Sequence, residues 1–162
     1  MRVGDIVIVS NLGEMKVYRA EPRDLEAEAG LKPNNVKLDL IDAKDYVVSH
    51  WKIQDIVTDE AGQFKGGSQG RGEFTQGSTG QRHELEKRVE ADVIDAIAKD
   101  ITETLEANNP PKWFLALPET IYERVVKKVS PALMEKLFVG LRKDLTKENK
   151  SNLVELFKKK LS

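Results

Sequence analysis

Cysteine is absent from this 162-residue chain. Disulfides, thiolate nucleophiles and cysteine-based zinc or iron–sulfur sites are thereby excluded, and a reducing cytoplasm is the compartment that fits. Histidine is scarce as well. Only His50 and His83 occur, with no HExxH-like spacing around either, so no metal site is expected. Glu84, Glu86 and Glu90, which follow His83, read as ordinary partners of a helix amino end. No apolar run near the start is long enough for a signal peptide or a membrane span, because Ile6 to Val9 is followed at once by Ser10 and Asn11. The expectation is a cytoplasmic protein without membrane contact. Nucleotide signatures are missing too: there is no GxxxxGK[ST], Lys65 precedes the glycines, and Thr75 stands where a GxGxxG begun at Gly70 and Gly72 needs its third glycine. A GxSxG elbow is also absent. No cofactor is expected.

What is present reads as a soluble globular chain, with 33% charged and 40% hydrophobic residues, of a length suited to one domain over residues 1–162. Net charge is −1, yet it is unevenly spread. Residues 1–60 carry eight Lys and Arg against twelve Asp and Glu, residues 61–118 seven against nine, and residues 119–162 eleven against six. The sums are −4, −2 and +5. The basic final quarter, with Lys158, Lys159 and Lys160, suits a polyanion such as RNA, and equally suits solvated helix ends whose lysines complement the helix dipole.

Local patterns predict the elements. Ile6–Val9 reads as a strand covered on both faces, Ser10–Glu14 as a turn, and Met15, Val17, Tyr18 and Ala20 as the returning strand of a hairpin. Asp24 to Gly30 is a loop or a short helix closing at the glycine. A third strand is expected over Val36–Ile41, while the apolar residues from Tyr46 to Val57 fit neither the strand nor the helix period. From Gln81, Leu85, Val89, Val93, Ile97, Ile101 and Leu105 recur every four residues, which predicts an amphipathic helix stopped by Asn108, Asn109, Pro110 and Pro111. Trp113–Leu117 is a wholly apolar strand. A helix opened by Pro118, Glu119 and Thr120 carries Ile121, Val125, Val126 and Val129, and another starts from Ser130, a cap with Pro131 at the first helical position. A last strand is expected near Phe138–Leu141, and a final helix over Asn149–Leu161. Strands interleaved with helices predict an α/β fold.

The stretch from Gly62 to His83 stands apart. It holds seven of the eleven glycines, with Gln63, Gln69, Gln76 and Gln81 between them and Phe64 and Phe74 as its large apolar side chains. Residues 62–82 are expected to form a flexible Gly-rich loop, because glycine removes the steric limits on the backbone and raises the entropy of ordering it. A loop of this length in a compact domain is commonly functional or a linker.

The order GGSQGRGEFTQGSTGQRHELEKR, a long helix, then WFLALPETIYERVVKKVSPALMEKLFVGLRKDLTK resembles the bacterial host attachment protein family. Its stations here are Leu117 with Pro118, Val129 with Ser130 and Pro131, and Arg142 through Thr146; residues 62–157 carry the likeness, the N-terminal hairpin carries it loosely, and residues 22–60 fit poorly. That family is in turn similar to the catalytic middle domain of archaeal and eukaryotic peptide-chain release factors. The resemblance implies a mixed β-sheet flanked by helices on both faces. In release factors a Gly-Gly-Gln loop positions water at the peptidyl-tRNA ester, and ribosome quality-control relatives use Gly-x-x-Gln. Gly66, Gly67, Ser68 and Gln69 satisfy the second pattern, with one residue between the glycine pair and the glutamine. A loop this rich in Gly and Gln also matches such a pattern through composition alone.

The resemblance implies translation-linked binding of RNA, tRNA or the ribosome. Gln69 is then the candidate for peptidyl-tRNA hydrolysis, Gly66, Gly67 and Ser68 form the binding loop, and Arg71 and Arg82 meet RNA phosphates. The second reading is a non-catalytic protein-interaction module in attachment or stress response, with the same loop as binding element.

Overall fold

The first strand, β1 (Ile6–Ser10), is buried at every position. A strand of that kind must be covered on both faces, and β1 is the centre of a five-stranded sheet. It pairs antiparallel with β2 (Glu14–Pro22), which pairs antiparallel with β3 (Val36–Asp45). On its other side β1 pairs parallel with β4 (Trp113–Ala116), which pairs parallel with β5 (Leu137–Leu141). The order is β3-β2-β1-β4-β5, a mixed sheet. This computed structural model describes residues 1–46 and 71–161, with the backbone alone described over residues 71–82 and at residue 161.

Alternation along the strands builds two cores. Ile6, Ile8, Met15, Val17, Trp113 and Leu115 face one side, where they meet Val93, Ile94, Ile97, Ile101 and Leu105 of the long helix α2 (Arg71–Asn108) and Ile121 and Val125 of α3 (Glu119–Val126). Val7, Val9, Tyr18, Phe114 and Ala116 face the other, covered by Leu153, Val154 and Phe157 of a helix over Lys150–Leu161. Phe114 and Phe157 meet edge to face at 5.4 Å between centroids, and a fully buried side chain of that size contributes roughly 2 kcal/mol or more. Helices on both faces of a mixed sheet is the α/β arrangement expected.

The short elements follow their caps. Asp24 accepts from the Ala27 N–H and opens α1 (Leu25–Glu28), and Gly30 takes the left-handed φ of +84° just after it. Ser130 caps α4 (Pro131–Glu135), with Pro131 at its start. The terminal helix, α5 (Lys150–Leu161), is capped by Asn149, whose side chain accepts from the Asn152 N–H. The carbonyl of Leu133, in α4, accepts from Trp113 Nε1 at 2.7 Å, so the indole N–H is satisfied inside the core.

Two boundaries differ from the sequence expectation. The strand β3 runs on to Asp45, held by β2 pairing through Ala43 and Lys44 although its outer positions are polar. More consequentially, α2 begins at Arg71, so residues 71–82 are helical and do not form the second half of a loop. Each interior glycine costs a helix about 1 kcal/mol, but extension from an established helix adds one hydrogen bond per residue without a new nucleation step. The packed turns from Val93 onward supply that established helix. The rest of the expected loop, Gly62–Gly70, and the ambiguous residues 47–57 lie outside the described residues.

Candidate functional site

Of the residues singled out in the sequence, Gly66, Gly67, Ser68 and Gln69 lie outside the described residues. Arg71 is the first residue of α2, and Arg82 follows about three turns later along the same helix. The helix spans 38 residues, about 57 Å. Among its described side chains the buried ones begin at Val93 and end at Leu105, a rise of about 18 Å that matches the height of a five-residue strand. His83, Glu84, Glu86, Lys87 and Arg88 are exposed, and Leu85 and Val89 only half-buried. Ion pairs tie α2 to α3 and to the turn after it, Glu90 to Arg124 at 3.1 Å and Asp95 to Lys128 at 2.8 Å. Before Glu90 the backbone of α2 continues back to Arg71, toward the side of the sheet where the parallel strands end.

That carboxyl edge is closed by a polar network. Asn11, directly after β1, accepts at Oδ1 from the N–H groups of Gly13 and Glu14 at 2.7 and 2.9 Å. Its Nδ2 donates to Asp144 Oδ2 at 2.9 Å and to Thr146 Oγ1 at 3.1 Å. Thr146 in turn donates its amide and its hydroxyl to Asp144 Oδ1, and its carbonyl accepts from Lys16 Nζ at 2.8 Å. One asparagine thus fixes the β1–β2 turn and clips the chain after β5 to it. Burial pushes the Asp144 carboxyl up, but hydrogen bonds from Thr146 and Asn11, with Lys147 nearby, outweigh it and hold the group below the usual carboxylate range. Beside it, Lys147 pairs with Glu14 at 3.2 Å. Further along the edge Tyr122 packs its hydroxyl against Gly140, with the Arg142 guanidinium over its ring at 4.9 Å and paired to Glu123.

The amino edge is built differently. Asp5, immediately before β1, is fully buried; its Oδ2 accepts from the Arg2 N–H at 2.7 Å and lies 3.7 Å from Lys112 Nζ, while Oδ1 is buried without a hydrogen-bond partner. Burial raises the Asp5 carboxyl above its ordinary value, against the opposing pull of the Arg2 amide, Lys112 and the N-terminal ammonium. Lys112 has a second contact: its ammonium sits 4.3 Å from the centroid of the Phe138 ring, and that ring is 51% exposed. A β-bulge between Trp113 and Phe114 re-aims Phe138, which meets Phe114 edge to face at 5.7 Å.

Chemically, the polar groups described at the two edges are largely engaged with one another. The carboxyl-edge hydroxyl of Thr146 is engaged by a carboxylate that itself holds the chain in place. Tyr46, whose hydroxyl donates to Asp100 at 2.6 Å, has its pKa raised by burial first and by Asp100 second, which removes it as a proton donor near neutrality. Among the described residues no group of three or more His, Cys, Asp or Glu is placed to hold a metal ion, and no helix is long and apolar enough to cross a membrane.

Sequence reasoning passed over Asp5, Asn11, Lys112 and Phe138. Asn11 carried a signal, since Ser-Asn-x-Gly is turn chemistry in which the asparagine side chain bonds the backbone just ahead. The Asp5–Lys112 and Lys112–Phe138 contacts carried none, because only the parallel pairing of β1, β4 and β5 brings those residues to one edge.

A family model described as protein required for attachment to host cells matches residues 6–156, from the first residue of β1 into α5. No curated protein matches the chain.

Proposed function

We propose a function from a plain premise: this chain belongs to the family of proteins required for attachment to host cells, and within it acts as a translation-linked module that binds RNA or the ribosome through its glycine-rich segment. The build of α2 carries this reading. A helix of about 57 Å has, among its described side chains, buried ones only from Val93 to Leu105, and its first residue follows Gln69 by two positions. A rigid body that carries a glycine-rich segment on a helical arm suits a contact inside a crowded ribonucleoprotein cleft, where bulky side chains would obstruct the approach of backbone amides. The likeness of the family to release-factor middle domains supports the same reading.

In its catalytic form, Gln69 orients water at the ester of peptidyl-tRNA and neighbouring backbone N–H groups stabilise the oxyanion. Water adds to the ester carbonyl, the bond to the tRNA ribose oxygen breaks, and the proton from water ends on that oxygen. Ribosome pelleting over a salt series tests binding, and peptide release from stalled ribosome–nascent-chain complexes tests catalysis. Binding that falls with salt, and release that Gln69→Ala abolishes with the fold intact, are the expected results. Pelleting without release sinks the catalytic form alone, and absence of any salt-dependent binding sinks the whole reading.

One observation favours a second reading. The exposed surface of α2 from Glu84 to Asp92 carries both signs, Glu84, Glu86, Glu90 and Asp92 against Lys87 and Arg88, a pattern better matched to a protein than to a polyanion. In that version the same arm meets a protein partner in attachment or stress response and performs no chemistry.

A further inference from the structure

We propose that the amino edge of the sheet, on its β1–β4–β5 side, is a docking surface for single-stranded RNA, with Phe138 as a stacking platform for a base and Arg2, Lys136 and Lys158 as phosphate partners. This rests on the RNA-binding reading above and adds the surface that holds the body while α2 extends from the opposite edge.

Four observations meet at this place. Phe138 is the aromatic side chain among the large exposed apolar residues of the described chain, and a half-open ring offers the flat apolar face on which any base stacks. Lys112 lies against that ring and is anchored by buried Asp5, so the ring is held between a fixed cation and Phe114. Second, cations gather around it. Burial first, then Lys112, Lys158 and Arg2, lower the affinity of the Met1 ammonium for its proton, which brings the helix α5, the segment before β4 and the chain start to one neighbourhood. Lys136 stands directly before β5, donating to Asn109 Oδ1 at 3.1 Å, and its carbonyl accepts from the Trp113 N–H. Third, Arg2, Lys136 and Lys158 are exposed, and none has a carboxylate within ion-pair distance among the described residues. Asp5, the acid beside Lys112, is buried and already faces it. Fourth, of the acidic residues near this edge Asp24, Glu26 and Glu28 belong to α1 and so to the β2–β3 side, while Glu135 and Glu155 stand exposed near Lys136 and Lys158 without an ion pair to either. An exposed aromatic ring with unpaired cations around it is the charge complement of a nucleic-acid strand lying across β1, β4 and β5.

The test uses the full chain and a fluorescent single-stranded oligouridylate, with ribosome pelleting in parallel. Phe138→Ala is expected to weaken oligouridylate binding roughly tenfold while Phe138→Tyr binds as wild type. Lys158→Gln, an exposed change that leaves the core untouched, is expected to weaken binding and to reduce the slope of log K against log salt by about 0.7. Wild-type affinity in both Phe138→Ala and Lys158→Gln overturns the proposal. So does a chain that ignores oligouridylate but binds vesicles of anionic lipid through Phe138. Ribosome pelleting that is equal in wild type and both variants sinks this surface and leaves the functional reading standing, whereas oligouridylate binding through Phe138 without ribosome pelleting keeps the surface and sinks the ribosome.

Discussion

The two edges of the sheet each hold an aspartate, and the two are governed by opposite balances. Asp144 at the carboxyl edge is exposed yet surrounded by donors, and its pKa falls. Asp5 at the amino edge is buried with one oxygen unmatched, and its pKa rises although Lys112 and the chain start lie close. The number of donors per oxygen, rather than the presence of a positive neighbour, decides the direction. It follows that around Asp144 the carboxyl edge is a lock closed by hydrogen bonds, with Glu14 Oε1 matched by the Lys147 ammonium, whereas the amino edge holds a carboxylate with one oxygen unmatched beside Lys112.

The comparison can be broken first at Lys112. Lys112→Met leaves Asp5 buried and unpaired, and should destabilise the fold by about 3 kcal/mol at pH 7. Because the folded-state pKa of Asp5 is raised, ionisation works against folding above it, and the penalty is relieved as pH falls through that value toward the unfolded one. Denaturant melts of wild type and Lys112→Met should therefore converge on acidification. A penalty that stays constant between pH 7 and pH 4 would remove Asp5 from the explanation.

At the carboxyl edge the largest effect belongs to Gly140→Ala. A Cβ there would stand 1.8 Å from the Tyr122 hydroxyl oxygen and 2.9 Å from Cζ, so the ring must leave its place beneath Arg142. A loss of about 2.5 kcal/mol is expected, with part of it recovered in the double variant with Tyr122→Phe. Full additivity of the two changes would show that the ring is not the obstacle.

Next comes Asn11→Ala, which removes four hydrogen bonds, the longest-range of which, Asn11 to Thr146, spans 135 residues of sequence. About 1.5 kcal/mol is the expected loss, since several of the freed groups reach water. Asp144→Asn is the smallest, under about 1 kcal/mol because the carboxylate is exposed. Its sign is opposite to that of Asp5: a lowered folded pKa stabilises above the unfolded value and is lost as pH falls through the folded one. Wild type and Asp144→Asn should differ at pH 7 and coincide in strong acid. A gap that widens with acid would contradict the donor count.

Much of the fold was legible because its signals are local. The run Ile6–Val9, the four-residue recurrence from Leu85 to Leu105, the Ser130–Pro131 cap and the apolar Trp113–Leu117 stretch each specify an element without reference to the rest. Strand β3 was underread because Asp42–Asp45 owes its place to pairing with β2, which no property of those residues announces. The start of α2 was misplaced for a related reason: Gly72, Gly77 and Gly80 argue for a loop, and the helix that overrides them is nucleated downstream. For the candidate site the limit is topology. Lys112 and Phe138 meet because β4 and β5 are parallel neighbours, and Asn11 meets Asp144 because the chain crosses the carboxyl edge after β5. The glycine-rich motif was visible in sequence, but the clustering of Lys112 and Phe138 at the amino edge was not.

The most direct test of the whole account is photo-crosslinking on purified ribosomes, with a photoreactive phenylalanine in place of Phe64, Phe138 or Leu40. Crosslinks to ribosomal RNA from positions 64 and 138, and none from position 40 on the β3 edge, are the predicted result. Crosslinks from position 40 alone, or none from any position in chains that remain folded, would contradict it.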